Sequence, residues 1–218
     1  MVAFLGRDGH VPLVSLASRQ VVGGVKMNGT ARAGAFSPDG NRLMTTGGDG
    51  TVYVWDLRTQ RCLSCHVDEG SVGGASLAAS PDGATYAVGS SSGVVNVYQH
   101  SRQDGLTADA GPAPGAGALP QGRRAPAPLR ALPHLTTAAD SLAFNHDGQI
   151  LALASRLKRD SLRLVHLPTL TAFANWPTSR TPLHYVHSLA FSPGGGYLAV
   201  GNAKGRVLLY RLHHFPQA

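Results

Sequence analysis

The two cysteines are the first residues whose spacing could do chemistry. Cys62 and Cys65 form a C-x-x-C pair, a spacing used by zinc sites and by redox centres. A structural zinc site needs about four ligands, however, and the chain has no second cysteine pair. The surrounding residues are typical of a strand, on which positions three apart face opposite sides. We therefore predict two ordinary reduced cysteines and no metal site.

Histidines and carboxylates offer few further candidates. His184 and His187 are three apart, a spacing that does not bring ligands together on a strand. Asp68 and Glu69 are adjacent in an expected loop. They could be a catalytic pair of carboxylates or a solvated contact, and we favour the contact. No nucleophile elbow, P-loop or dinucleotide fingerprint occurs in its required context. We predict no catalytic residue, no cofactor and no small-molecule substrate.

One basic cluster contains Arg156, Lys158 and Arg159, with Arg163 shortly after it. The formal net charge of the chain is +7, which favours acidic partners, nucleic acid among them. Lysine and arginine bind RNA phosphates or an acidic protein surface, and a solvated basic loop is the third interpretation. These four residues are the predicted partner or RNA contacts.

The elements that must position these residues are short strands. The chain of 218 residues has 27 glycines, 14 prolines and only 14% charged residues, which is typical of strands joined by tight turns. No apolar run reaches the roughly 18 residues of a membrane span, so no membrane partner is predicted. Arg7 and Asp8 interrupt the apolar stretch that a signal peptide needs, so secretion is not expected.

An internal repeat predicts the fold. Four turns align, at residues 35–40, 78–83, 143–148 and 190–195, and the first of them reads Ala-Phe-Ser-Pro-Asp-Gly. Phe36 and Ala79 are 43 residues apart, and Phe144 and Phe191 are 47 apart, close to the period of a WD repeat. Asp49, Trp55 and Asp56 resemble the hydrogen-bonded structural set of that repeat. The interval of 65 between Ala79 and Phe144 requires an insertion of about 20 residues.

We predict an all-β fold, a WD-repeat β-propeller forming an incomplete arc of about four and a half blades. The expected units are a half-blade at 1–28, blades at 29–66 and 67–100, an Ala/Gly/Pro-rich disordered loop at 101–132, a blade at 133–177, and a blade with the C-terminus at 178–218. Because a half-blade cannot bury its own face, we expect the chain to be the C-terminal portion of a longer protein.

Four stretches resemble one family in particular. They are residues 48–63 with Val67-Asp-Glu-Gly70; residues 89–98; residues 162–168 with 173–177; and residues 186–205, followed by Tyr210-Arg-Leu-His-His214. The chain is similar in these stretches to the U3 small nucleolar RNA-associated protein 18 family, WD-repeat subunits of the small-subunit processome. Departures are Ala79, where a bulky residue is usual, and the loop itself.

This resemblance implies a non-enzymatic scaffold in the nucleus and nucleolus, supporting pre-rRNA processing and 18S rRNA maturation. The implied partners are other WD-repeat processome proteins, the U3 snoRNP and pre-rRNA. The alternative is a generic WD-repeat adaptor, for example a ubiquitin-ligase substrate receptor. Direct RNA binding through the basic cluster together with Arg123 and Arg124 is a third hypothesis, and an enzyme is the least favoured one.

Overall fold

A computed structural model describes residues 1–100, 126–178 and 180–212. These residues form eighteen strands in five antiparallel sheets that follow one another along the chain. None of the described residues forms a helix with the length and apolar character needed to cross a membrane. The prediction of an all-β architecture is confirmed.

The sheets are numbered 1 to 5 in chain order. Sheet 1 contains β1 (Val2–Ala3), β2 (His10–Ser15) and β3 (Gln20–Lys26). Sheet 2 contains β4 (Ala31–Phe36), β5 (Arg42–Gly47), β6 (Thr51–Asp56) and β7 (Arg61–Val67). Sheet 3 contains β8 (Gly74–Ala79), β9 (Thr85–Ser90), β10 (Val95–Gln99) and β11 (Arg130–Leu132). Sheet 4 contains β12 (Ser141–Phe144), β13 (Ile150–Ala154), β14 (Leu162–His166) and β15 (Thr171–Ala172), and sheet 5 contains β16 (Val186–Phe191), β17 (Tyr197–Asn202) and β18 (Val207–Arg211).

Every sheet is a meander in which each strand pairs with the next one along the chain. The repeated turn explains this local geometry, as the one between β4 and β5 illustrates. The Gly40 amide donates to the Ser37 carbonyl at 3.0 Å, and Gly40 has a φ of +71°, which glycine adopts without steric cost. The Asp39 carboxylate accepts a hydrogen bond from the Asn41 amide at 3.1 Å and so reinforces the turn.

The hydrophobic core consists of four clusters, one between each pair of consecutive sheets. Between sheets 1 and 2, for example, Val11 and Leu13 pack with Leu43 and Trp55. The first strands of sheets 2 to 5 also contact one another in succession, β4 with β8, β8 with β12, and β12 with β16. Sheets that pack face to face around a shared row of first strands form an arc of propeller blades.

Both ends of the arc leave a sheet face uncovered. In sheet 5, the side chains of Val207 and Leu209 are 73% and 65% exposed, although both are apolar. In sheet 1, Val21 and Val22 are exposed on β3. Val52 and Val54, the counterparts of Val207 and Leu209 in sheet 2, are buried against sheet 3, so the exposed face of sheet 5 is where a further blade would pack.

The predicted loop at 101–132 differs from the structure at its far end. Residues 101–125 lie outside the described residues, as do His213 and His214. Arg130–Leu132, by contrast, form β11 and pair with β10 in the register Val95 to Leu132. The fourth strand of sheet 3 therefore follows the insertion, which separates two hydrogen-bonded neighbours in one sheet.

Candidate partner-binding face

Each blade has two ends. We call the upper face the end that carries the turns between second and third strands and the loops between successive sheets. The lower face carries the turns between first and second strands and those between third and fourth strands. Backbone hydrogen bonds join neighbouring blades at the upper face, such as the one from the Ala139 amide, in the loop before sheet 4, to the Ser90 carbonyl of sheet 3 at 3.1 Å. Side chains of the upper face are consequently held on a continuous frame.

The three residues predicted to be structural lie in sheet 2. Trp55 is 5% exposed, and its indole Nε1 donates to Thr45 Oγ1 at 2.9 Å. Asp49 Oδ1 accepts a hydrogen bond from the Thr51 amide at 3.1 Å, within the turn between β5 and β6. Asp56 accepts hydrogen bonds from the Arg58 amide and from Thr59 Oγ1, each at 2.9 Å. Each of the three thus holds a turn or a strand pair.

Sheet 3 has a different polar centre, which the sequence did not predict. Asp68 is 1% exposed, and its Oδ1 accepts hydrogen bonds from Asn96 Nδ2 at 2.9 Å and Tyr98 Oη at 2.7 Å. Tyr98 occupies the repeat position of Trp55, 43 residues later. The expectation that Asp68 is a solvated contact is therefore wrong, because the side chain is buried between β7 and sheet 3 and accepts hydrogen bonds from sheet 3.

The electrostatics of Asp68 follow from its burial. Desolvation is the largest influence and raises the pKa of the carboxyl, against hydrogen bonds from Asn96 and Tyr98 that lower it. Asp68 Oδ2 and Asn96 Oδ1 are buried and make no hydrogen bond to any described residue. A buried acid with one unpaired oxygen favours the protonated form.

The basic cluster occupies the upper-face turn between β13 and β14, which we call the basic turn (residues 156–160). Arg156 is paired with Asp140, with 3.5 Å between Nε and Oδ1, and Lys158 Nζ donates to Thr136 Oγ1 at 3.1 Å. Arg159 Nε lies 3.3 Å from Asp160 Oδ2. The side chains of Arg156 and Arg159 are 60% and 62% exposed, so these ion pairs are weak and can be exchanged for a phosphate.

A backbone clamp fixes the basic turn against the next blade. The Asp160 amide donates to the His184 carbonyl at 2.9 Å, and the His184 amide donates to Asp160 Oδ1 at 2.7 Å. Asp160 has a φ of +55°, a left-handed conformation that aspartate tolerates better than most residues. Desolvation, followed by the positive charges of Lys204 and Arg159, lowers the pKa of His184. Lys204 therefore extends the cationic surface onto sheet 5.

Arg163 lies apart from the other three predicted contacts. It is exposed on β14, and its Nη1 donates to the neighbouring Leu162 carbonyl at 3.0 Å. Desolvation, followed by the charges of Arg163 and Arg130, lowers the pKa of His134. The structure thus groups Arg156, Lys158 and Arg159 in one turn and places Arg163 in a second cationic area with Arg130.

Lys204 and Arg206, which flank Gly205 in the matching turn of sheet 5, were not among the predicted contacts. The repeat alignment contains the signal, because the turns 155–161 and 203–206 join the same pair of strands in successive blades.

The cysteines lie on one face of β7, which corrects the expectation that they face opposite sides. A β-bulge at Leu63 shifts the register, so that Cys62 lies opposite Trp55 and Cys65 opposite Tyr53. Both cysteines pack against the core between sheets 1 and 2. Desolvation raises the pKa of Cys62 to about 11. Among the described residues, no group of three or more metal-ligating side chains could hold a metal ion.

Comparison with known proteins identifies the repeat. The family model described as WD domain, G-beta repeat matches residues 27–56 and 176–211. The first match ends at Asp56 and includes Asp49 and Trp55. The described strands and this match together confirm a partial WD-repeat β-propeller.

Curated relatives match the chain over nearly its whole length. A U3 small nucleolar RNA-associated protein 18 homolog of Arabidopsis thaliana is 46% identical over 217 residues, which cover 100% of this chain and 36% of the relative. Homologs of the same name from Mus musculus and Homo sapiens are 42% and 39% identical over 211 residues, covering 96% of this chain and 35% of each relative. The chain spans about a third of the length of these relatives.

Proposed function

Because the chain belongs to the U3 small nucleolar RNA-associated protein 18 family and spans about a third of the length of these relatives, we propose that it is part of a WD-repeat scaffold of ribosome biogenesis. The observation that carries the proposal is identity of 39–46% across 96–100% of the chain to relatives named for association with U3 small nucleolar RNA. The proposed setting is the nucleolus, and the proposed process is pre-rRNA processing towards 18S rRNA.

We propose that the chain acts by contact and without catalysis. The polar groups that the structure gathers serve the fold: Asp49 and Asp56 hold turns, and Asp68 holds a junction between blades. A rigid frame with exposed turns is suited to holding several partners in a fixed arrangement. The proposed partners are other WD-repeat processome proteins, the U3 snoRNP and pre-rRNA.

Purification of the tagged full-length protein from nucleolar extract tests the scaffold proposal. We expect processome WD-repeat proteins and U3 RNA to be recovered together at stoichiometric levels. Recovery of ubiquitin-ligase subunits in their place would overturn the proposal in favour of a generic adaptor. A matched purification of an unrelated WD-repeat protein controls for the abundance of pre-ribosomes in the extract.

We further propose that the basic turn contacts phosphate groups of RNA, with Arg156, Lys158 and Arg159 as the contacts and Arg163 beside them. The clamp between Asp160 and His184 supports this, because a turn held in place loses little conformational entropy on binding. The second cationic turn, at Lys204 and Arg206, lies on the adjacent blade and extends the surface that could follow an RNA backbone.

Salt dependence of binding to a single-stranded RNA tests this contact. Each phosphate neutralised on a single strand contributes about 0.7 to the slope of log affinity against log salt. Replacing Arg156, Lys158 and Arg159 by glutamine should therefore lower the slope by about 2. The control replaces Arg19, Arg58 and Arg61 on the lower face, with an identical change in net charge. Equal slopes in the two triple variants would refute the contact.

A further inference from the structure

The lower face contains a pocket between sheets 2 and 3. Its volume is about 370 Å³, within the range of pockets that bind small ligands. The walls come from the first turn of each sheet and the strands beside it, with Pro38 and Met44 on one side and Ala79 on the other. Arg42 and His100 also line it. It lies at the opposite end of the blades from the basic turn.

The pocket exists because of one residue. Phe36, Phe144 and Phe191 occupy the same position of the repeat, the last residue of the first strand. Each of these rings packs into the cluster shared with the preceding sheet. Ala79 has this position in sheet 3 and packs into the cluster shared with sheet 2. The alanine therefore leaves unfilled the space that a phenyl ring fills at the other three junctions.

The lining of the pocket combines an apolar floor with charged edges of both signs, since Asp39 and Asp82 line it as well as Arg42. Met44 is 1% exposed and Ala79 is partly buried, so both present carbon atoms. Arg42 Nη1 lies 2.8 Å from His100 Nε2, and the His100 ring meets Tyr86 edge-on at 6.0 Å between centroids. These contacts hold the guanidinium, which has five N–H donors, at the edge of the pocket.

We propose that this pocket binds an aromatic side chain of a partner polypeptide, with an adjacent carboxylate or carbonyl of the partner accepting a hydrogen bond from Arg42. The size and shape fit a ring, because three sister junctions hold a phenyl ring in the corresponding space. Burial of the ring against Met44 and Ala79 supplies the affinity, and the arginine supplies the preference for an acceptor.

Ligand-observed NMR on the full-length protein tests the proposal with defined probes. N-acetyl-L-phenylalanine has the ring and a carboxylate, its amide has the ring with only uncharged carbonyl acceptors, and N-acetyl-L-alanine has the carboxylate without the ring. We expect saturable binding of N-acetyl-L-phenylalanine with a Kd on the order of millimolar, as befits a small ligand. The amide should bind more weakly, and the alanine derivative should show no saturable binding.

Matched variants assign the binding to the pocket. Ala79→Phe places in sheet 3 the residue that its sister blades already have, so it should fold with an unchanged or higher Tm and abolish binding. Ala17→Phe adds the same ring at an exposed position of sheet 1, away from the pocket, and should leave binding unchanged. Arg42→Gln should weaken binding of the carboxylate probe at least tenfold and that of the amide by less.

Two results would overturn the proposal. Unchanged probe binding by the Ala79→Phe variant would place the probe elsewhere. Binding that appears only after deletion of residues 103–124 would show that the chain itself fills the pocket and that no partner is needed. Neither result bears on the basic turn or on U3 association, which the RNA and purification experiments test separately.

Discussion

Removal of the Asp68 side chain should destabilise the propeller in a way that depends on what replaces it. Asp68 Oδ1 accepts from Asn96 and Tyr98, which are 1% and 0% exposed and cannot turn to water. Asp68→Ala leaves the Tyr98 hydroxyl and one N–H of the Asn96 amide, whose other N–H donates to the Glu69 carbonyl, without an acceptor. Each costs about 1–3 kcal/mol, so we expect a loss of about 2–6 kcal/mol. Asp68→Asn keeps an acceptor in place and should cost about 1 kcal/mol or less.

The pH dependence separates this explanation from simple loss of packing. Desolvation raises the pKa of Asp68 in the folded protein above its unfolded value of about 4. The contribution of this group to stability is therefore complete below about pH 4 and is lost as the pH rises through the raised pKa. Asp68→Asn has no such titration, so its stability relative to wild type should improve across that window.

Urea denaturation of the full-length protein and of both variants, followed by tryptophan fluorescence at several pH values, measures these differences. Equal destabilisation by alanine and asparagine would refute the hydrogen-bond explanation. A stability difference between wild type and the asparagine variant that does not change with pH would refute the buried, desolvated carboxyl.

Four further predictions concern other parts of the fold. Trp55→Phe should cost about 1–3 kcal/mol, because buried Thr45 Oγ1 loses its indole donor, and denaturation with and without Thr45→Val measures the coupling. Gly93→Ala should lower the Tm far more than Gly205→Ala, although both glycines have a positive φ. A Cβ at Gly93 would lie 2.5 Å from the Leu135 carbonyl oxygen, whereas a Cβ at Gly205 would meet nothing within 4 Å. Cys62, with its pKa raised to about 11, should react with iodoacetamide more slowly than a free thiol at pH 8, as mass spectrometry can follow. The 218 residues alone should self-associate through the uncovered faces of sheets 1 and 5, which sedimentation velocity detects.

Each of these has a clear contrary outcome. The tryptophan prediction fails if Thr45→Val has the same effect in both backgrounds, and the glycine prediction fails if the two alanine variants melt together. Alkylation of Cys62 as fast as that of a model thiol would mean that desolvation does not raise the pKa of the Cys62 thiol. A monodisperse, cooperatively melting monomer of the 218 residues would contradict the exposed-face prediction.

The sequence predicted the fold class because its signals are local and repeated. The turn at residues 35–40 contains in six residues both a fixed φ at proline and a glycine with positive φ, and the turn recurs with variations along the chain. Trp55 and Asp49 could be assigned structural roles for the same reason. The match of the family model to residues 27–56 and 176–211 agrees with that assignment of the fold.

Features that depend on distant neighbours could not be predicted in this way. β11 has only three residues, Arg130–Leu132, and pairs with a strand on the other side of the insertion. The bulge at Leu63 breaks strict alternation and turns Cys62 to the face of Cys65. Asp68 resembles any loop carboxylate until Asn96 and Tyr98, about 30 residues later, are placed against it.

The position of the insertion inside sheet 3 has a consequence for the order of folding. In sheet 2, the connections between paired strands have three to five residues, whereas β10 and β11 are joined by the 30 residues from 100 to 129. The entropy of closing a loop grows by about 0.6 kcal/mol for each doubling of its length, so this one closure costs about 2 kcal/mol more than a tight turn. β11 should consequently dock last in its blade and open first, and the amides it shares with β10 should exchange with deuterium sooner than those between β8 and β9. Blade-by-blade assembly would thus have one blade whose outermost strand joins after its other three strands have paired.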